Sequence, residues 1–201
     1  MKTGSTVEHL SDEDLAFKVA NGSLSLFEEL VSRYSSRLFY FLRHRTETDQ
    51  DIEDLVQETF LKAFKGIKRY DPECKFSTWL YTIAVRQSIS RYRRNKKIKV
   101  SHADAKSCIP DPENIVIQKE ESNNLWSLAS DLPKKEFEAL WLYYSEEMPV
   151  KEIAEITKKK PITVRVLLHR ARLNLAKKID RSVFSGQLAE TRSMKHKLSI
   201  L

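Results

Sequence analysis

Among the residue types that most often perform catalysis or hold metal, this chain has two cysteines, Cys74 and Cys108, and five histidines, His9, His44, His102, His169 and His196. The histidines are scattered and show no zinc spacing, and two cysteines do not make a disulfide framework, so both read as free thiols. No nucleophile dyad, carboxylate cluster or phosphate-cradling glycine loop stands out, which argues against an enzyme and against a resident metal or cofactor. The chemistry these residues do support is charge pairing. Asp51, Asp54, Gln57 and Glu58 recur at three- and four-residue spacing, whereas Arg86, Arg91, Arg93, Arg94, Lys96, Lys97 and Lys99 form a run with no acidic residue among them. The first set suits a cationic protein surface. The second suits phosphate, whose neutralisation releases counterions and supplies most nucleic-acid affinity.

Helices must position both sets. Thr48 or Asp49 can cap one whose first turn is crowded with acidic residues, where the helix dipole favours them. Ile52, Leu55, Val56, Phe60, Ala63, Phe64 and Ile67 would form its buried stripe, leaving Asp51, Asp54, Gln57, Glu58 and Lys62 outward. A merely solvated face is the competing reading. Asp71-Pro72-Glu73-Cys74 interrupts the pattern, because proline removes a donor and disfavours helix before it. Helical period resumes over 76–95, with Leu80, Ile83, Ala84 and Ile89 apolar and Trp79, Tyr81 and Tyr92 interleaved. Phe76 and Trp79 read as core on residue type alone. Tyr70, next to the loop, and Tyr92, amid the arginines, are expected to be exposed, where an aromatic ring can stack on an unpaired base. Earlier in the chain, Ser11 with Asp14 begins a helix that Asn21-Gly22 ends, and Ser25 with Glu28 resembles a capping box for the next. Phe27, Leu30, Val31, Tyr34, Leu38, Phe41 and Leu42 are spaced to pack beneath the acidic helix.

Taken together, Asp54-Leu55-Val56-Gln57-Glu58-Thr59-Phe60, Lys62-Ala63-Phe64, Phe76-Ser77-Thr78-Trp79-Leu80 and Ile83-Ala84 resemble the second region of bacterial RNA polymerase sigma factors, in the small two-domain extracytoplasmic-function (ECF) group of the sigma-70 family. The resemblance implies that the acidic helix docks on core RNA polymerase through Asp51, Asp54, Gln57 and Glu58. It also implies that the following loop captures an unstacked base of the minus-ten element and that the basic helix holds that DNA. By motif position, Tyr70, Asp71, Lys75, Arg86, Gln87 and Arg91 would meet the promoter.

A second signature lies nearer the other end. Phe137, Leu140, Trp141 and Tyr144 mark one amphipathic helix, residues 150–156 a short second one and 161–179 a third, with Pro161 suited to a first helical position. Lys158, Lys159, Lys160, Arg165, Arg170, Arg172, Lys177 and Lys178 have no acidic neighbour between Glu155 and Asp180. Two helices joined by a short turn, the second rich in cations, fit a helix-turn-helix, with a generic charged helix as the plain alternative. Glu152-Ile153-Ala154-Glu155, Thr163-Val164-Arg165 and His169-Arg170-Ala171-Arg172-Leu173 are similar to the fourth region of the same group, which implies that Lys160, Thr163, Arg165, His169 and Arg170 read the minus-thirty-five element. The chain departs from the family pattern at Lys158, Lys159 and Ile162, where glycines or an apolar residue are usual, so the turn loses its cheapest route to positive backbone angles. Val166 and Leu167 stand where a serine and an arginine are common.

The expected fold is therefore all-α: two small helical domains joined by a flexible linker, the second a helix-turn-helix. The first spans residues 1–98, the linker 99–121, the second domain 122–181 and a tail 182–201. Residues 100–110 lack helical period, and Asp111 with Pro112 would cap a helix running through Leu128. Four glycines and little strand alternation agree with helices throughout, and the formal net charge of +7 favours an anionic partner. No apolar run approaches membrane-spanning length and no secretory signal pattern opens the chain, so a cytoplasmic location without membrane insertion is expected. The expected partners are core RNA polymerase and promoter DNA, with an anti-sigma factor as a third that the resemblance implies. A helix-turn-helix regulator that binds DNA without joining polymerase is the rival. It has no need of the acidic helix or the aromatic segment.

Overall fold

A computed structural model describes residues 10–46, 48–99 and 120–184. Every regular element among them is helical, and the chain divides into two compact units between Pro112 and Glu113. The Asp111-Pro112 cap, Cys108 and residues 185–201 of the tail lie outside the described residues, while residues 182–184 are helical.

The first unit contains α1 (Asp12–Ala20), α2 (Phe27–Arg43), α3 (Asp49–Gly66) and α4 (Phe76–Lys99), with single 3₁₀ turns at Leu24–Leu26 and Ile67–Arg69. Ser11 caps α1 by accepting from the Asp14 amide at 3.0 Å. At the other end Gly22 takes φ 107° and the Gly22 and Ser23 amides donate to the Val19 and Lys18 carbonyls, both at 3.0 Å. That is the paired closure a left-handed residue makes possible. Ser25 does not cap α2. It lies inside the 3₁₀ turn, and α2 starts at Phe27 with no side-chain cap, because the tight turn already supplies donors and acceptors in helical register.

Helix α2 buries Phe27, Leu30, Tyr34, Leu38, Phe41 and Leu42, while Val31 is half-buried. Against them α3 buries Ile52, Leu55, Thr59, Phe60 and Ala63, and Thr59 satisfies its hydroxyl on the Leu55 carbonyl at 2.7 Å. Val56 is half-buried. Phe64, expected inside, sits at the rim, 37% exposed, with its ring edge-on to Phe27 at 5.1 Å. Helix α4 contributes Phe76, Leu80, Tyr81, Ala84 and Val85 to the same core. Arg33 of α2 ties α1 to α2 through Asp12 at 2.8 Å and is held by Glu29 of its own helix at 2.7 Å, and Tyr34 donates to the Asp12 carboxylate.

The second unit contains α5 (Glu120–Ser130), α6 (Lys134–Tyr144), α7 (Val150–Thr157) and α8 (Pro161–Phe184). Pro161 occupies the first position of α8, as expected. Trp126, Phe137 and Trp141 form an aromatic cluster, with Trp126 and Trp141 centroids 4.7 Å apart. Val164, Leu168, Ala171, Leu175 and Ile179 form the buried stripe of α8, facing Leu140, Leu142, Ile153 and Ile156 of its neighbours' core. The buried Glu136 carboxylate accepts from the neutral Asn174 amide at 2.8 Å, which gives one of its oxygens a hydrogen-bond partner.

Candidate functional site

Thr48 caps α3, accepting from the Asp51 amide at 3.1 Å and donating to the Asp51 carboxylate at 2.7 Å. The acidic face above that cap meets α4. Arg91 Nη2 lies 2.6 Å from Asp51 and 3.0 Å from Asp54, with Glu58 3.8 Å from Nη1. Its side chain is only 16% exposed, half-sunk between the helices. The hydrogen bond from Arg91, with a second from Gln50, holds the Asp54 carboxyl below its ordinary range. Burial acts to lower the Arg91 pKa, but the bonds to Asp54 and Asp51 outweigh it and leave the guanidinium more firmly protonated than usual. Lys62 in turn donates to Gln87 at 2.6 Å. Residues expected on two separate faces, one acidic and one basic, thus meet along the α3–α4 seam. Gln57 and Arg86 are exposed beside it.

Tyr70 corrects an expectation. It is buried, 7% exposed, because the 3₁₀ turn Ile67–Arg69 swings its ring into a cluster with Phe76 at 5.8 Å and Trp79 at 5.3 Å. Burial pushes its phenol pKa well up, and its hydroxyl donates to the Cys74 carbonyl. Tyr92 is exposed as expected, at 62%. Residues 71–75 are all exposed, yet their backbone is held. The Cys74 amide donates to the Asp71 carbonyl and the Glu73 amide to the Asp71 side chain, both at 3.0 Å. Glu13, from α1, accepts from the Phe76 amide at 3.0 Å and so caps α4 from 63 residues away. Sequence offered no signal for that cap, since it depends on how α1 crosses the start of α4. The result is an exposed five-residue loop on a rigid footing.

In the second unit, α7, three lysines and α8 make the helix-turn-helix. Lys158 takes the left-handed conformation, φ 54° and ψ 44°, with its amide donating to the Glu155 carbonyl and that of Lys159 to Ala154 at 2.9 Å. The turn therefore closes as a glycine turn would, although a β-carbon makes that conformation about 1–2 kcal/mol less favourable. Lys160 of the turn and Thr163, Arg165, His169 and Arg170 of α8 are all exposed, on the solvent side left by the buried stripe. Ile162 and Val166 share that side and are 61% and 42% exposed. Among the described residues no group of His, Cys, Asp and Glu could hold a metal, and no helix is long and apolar enough to cross a membrane.

Comparison with known proteins agrees with both units. Residues 30–98 match the Sigma-70 region 2 family and residues 122–175 the Sigma-70, region 4 family. The ECF RNA polymerase sigma-E factor of Haemophilus influenzae is 32% identical over 185 residues, covering 86% of this chain and 97% of that protein. The ECF RNA polymerase sigma factor SigW of Bacillus subtilis is 29% identical over 174 residues, covering 81% and 93%. Among solved structures, the sigma factor RpoE of Bartonella quintana, crystallised with the anti-sigma factor NepR, has a similar fold. Its TM-score is 0.63 at 19% identity, over 77% of this chain and 96% of that one. With both regions matched and a relative above 30% identity aligned over nearly its whole length, this chain belongs to the ECF group of sigma-70 family RNA polymerase sigma factors.

Proposed function

We propose that this sigma factor docks on core RNA polymerase through the α3 face that carries Asp51, Asp54, Gln57 and Glu58. The exposed loop 71–75, with Asp71 and Lys75, takes an unstacked base of the minus-ten element, and Tyr70 serves from below by anchoring that loop. Arg86, Gln87 and Arg91 of α4 hold the adjoining DNA, while Lys160, Thr163, Arg165, His169 and Arg170 meet the minus-thirty-five element. The protein acts by binding alone, in the cytoplasm, and is released during elongation. An anti-sigma factor completes the proposed set of partners. The observation that carries this assignment is the α3–α4 seam, where an acidic surface suited to a protein adjoins a cationic helix and a pinned exposed loop suited to opened DNA.

Run-off transcription tests it, using core polymerase with and without the chain on promoter fragments from its own genome. Initiation from a defined start site is expected only with the chain present. Failure to bind core, or to start transcription from any fragment, would sink the reading. Domain limits are tested by limited proteolysis, with cleavage expected within 99–121 and two resistant products on either side.

A further inference from the structure

We infer that Ile162 and Val166 select thymine in the upstream promoter element, by apolar contact with its 5-methyl group. The inference rests on the reading of α8 as the helix that enters the major groove. The buried stripe of α8, Val164, Leu168, Ala171, Leu175 and Ile179, fixes how the helix is rotated on its domain. At about 100° per residue, Val166 points about 180° from the mean direction of that stripe, and Ile162 lies one turn earlier, about 40° to one side. Val166 therefore faces directly away from the protein body, and Ile162 beside it is the more exposed of the two, 61% against 42%. Arg165 and Arg170 stand on either shoulder, about 100° and 40° around from it, both exposed and with no ion-pair partner among the described residues.

Cations at the shoulders and apolar groups at the apex are what a groove-reading helix presents when phosphates flank it and the base edges below offer something apolar. The thymine methyl is the one apolar group on the major-groove edges of the bases, and aliphatic side chains are its usual partners. Residues near the start of a recognition helix are those that reach base edges, and Ile162 and Val166 occupy the first and second turns. Leu173, also exposed at 49%, is about 10 Å further along and outside that reach.

The test uses holoenzyme reconstituted from core polymerase and the full chain. Sites are selected from duplexes randomised across the upstream element, and each thymine in the winning sequence is then replaced by deoxyuridine, which lacks only the methyl group. At least one replacement is expected to weaken binding about fourfold, the worth of roughly one buried methyl. That penalty is expected to vanish in Val166→Ala or Ile162→Ala, whereas Arg165→Ala weakens all sequences and keeps the penalty. No uridine penalty at any position, or one that persists in both alanine variants, overturns the inference while the Arg165→Ala loss still upholds α8 as the reading helix. If Arg165→Ala and Arg170→Ala also leave upstream binding unchanged, the underlying assignment of α8 fails with it. Loss of core binding in Val166→Ala with no change in base preference would instead make the apex a protein contact and refute the thymine contact.

Discussion

The two cation-rich helices of this protein, α4 and α8, look alike as strings of arginine and lysine and are committed differently by the fold. Arg91 of α4 is clamped on Asp51 and Asp54 of α3, and Gln87 is bonded to Lys62. Arg165 and Arg170 of α8 are exposed and unpaired among the described residues. The difference lies in what packs alongside. Helix α4 lies against an acidic face, so part of its charge is spent within the protein, whereas α8 lies on the apolar surfaces of α6 and α7. A count of cations therefore overstates the potential offered at Arg91 of α4, and at Lys178 of α8, which pairs with Asp131 at 3.1 Å, but describes that at Arg165 and Arg170 well. In the proposed docking, polymerase cations arriving at Asp51 and Asp54 would compete with Arg91, so that the two proposed surfaces share a boundary.

The comparison breaks most visibly at the acidic face. Replacing Asp54 and Glu58 together by lysine should weaken core binding by at least about tenfold, since like charges then face the partner's cations. Low-salt DNA binding by α8 in the same protein should persist. Equal loss of both would contradict the separation of the two surfaces, and fluorescence anisotropy with labelled core and labelled duplex reads each.

A smaller effect separates the two arginines. Arg91→Ala leaves Asp51 and Asp54 close together without their shared cation, and should cost roughly 1–2 kcal/mol in urea unfolding. Arg165→Ala should stay within about 0.5 kcal/mol in the same assay. The opposite order is expected for DNA: Arg165→Ala should lower the slope of log affinity against log salt by about 1. If both substitutions destabilise equally, the contrast between the helices is wrong.

The turns sharpen the same comparison. Gly22 and Lys158 close α1 and α7 with the same pair of hydrogen bonds at positive φ, 107° without a β-carbon and 54° with one. Gly22→Ala should destabilise the first unit by about 1 kcal/mol, and Lys158→Gly should stabilise the second by roughly 0.5–1 kcal/mol. Differential scanning calorimetry of the full chain detects either change, and destabilisation by Lys158→Gly would mean that the lysine side chain makes a contact worth more than the strain.

The smallest effect is acid dependence at Asp54. Its carboxyl titrates below its ordinary value of 3.8 because Arg91 and Gln50 donate to it. A depressed carboxyl adds stability above its unfolded pKa and loses it as pH falls through the folded pKa. Asp54→Asn should therefore lie below the parent protein in urea midpoint at pH 7, and the gap should close on acidification below 3.8. A gap that widens with acid would reverse the assigned sign.

Local pattern settled much of this protein. The Ser11 and Thr48 caps, the Gly22 closure, Pro161 at the head of α8, and nearly all of the α2 and α3 core stripes follow from residue type and spacing, because each depends on neighbours within about one or two turns. The motifs around Asp54, Phe76 and Arg165 likewise carried the family before any fold was known. What sequence could not supply is which elements face each other. Tyr70 went inside because a 3₁₀ turn aimed it at Phe76 and Trp79. Arg91 paired with Asp51 and Asp54 because α4 crosses α3, and Glu13 became the cap of a helix it precedes by 63 residues. Val166 reached the apex of α8 because the packing against α6 and α7 set the rotation of that helix. Charge and local caps are properties of segments, but exposure, pairing and caps made from a distance belong to contacts between segments, and only the tertiary structure decides those.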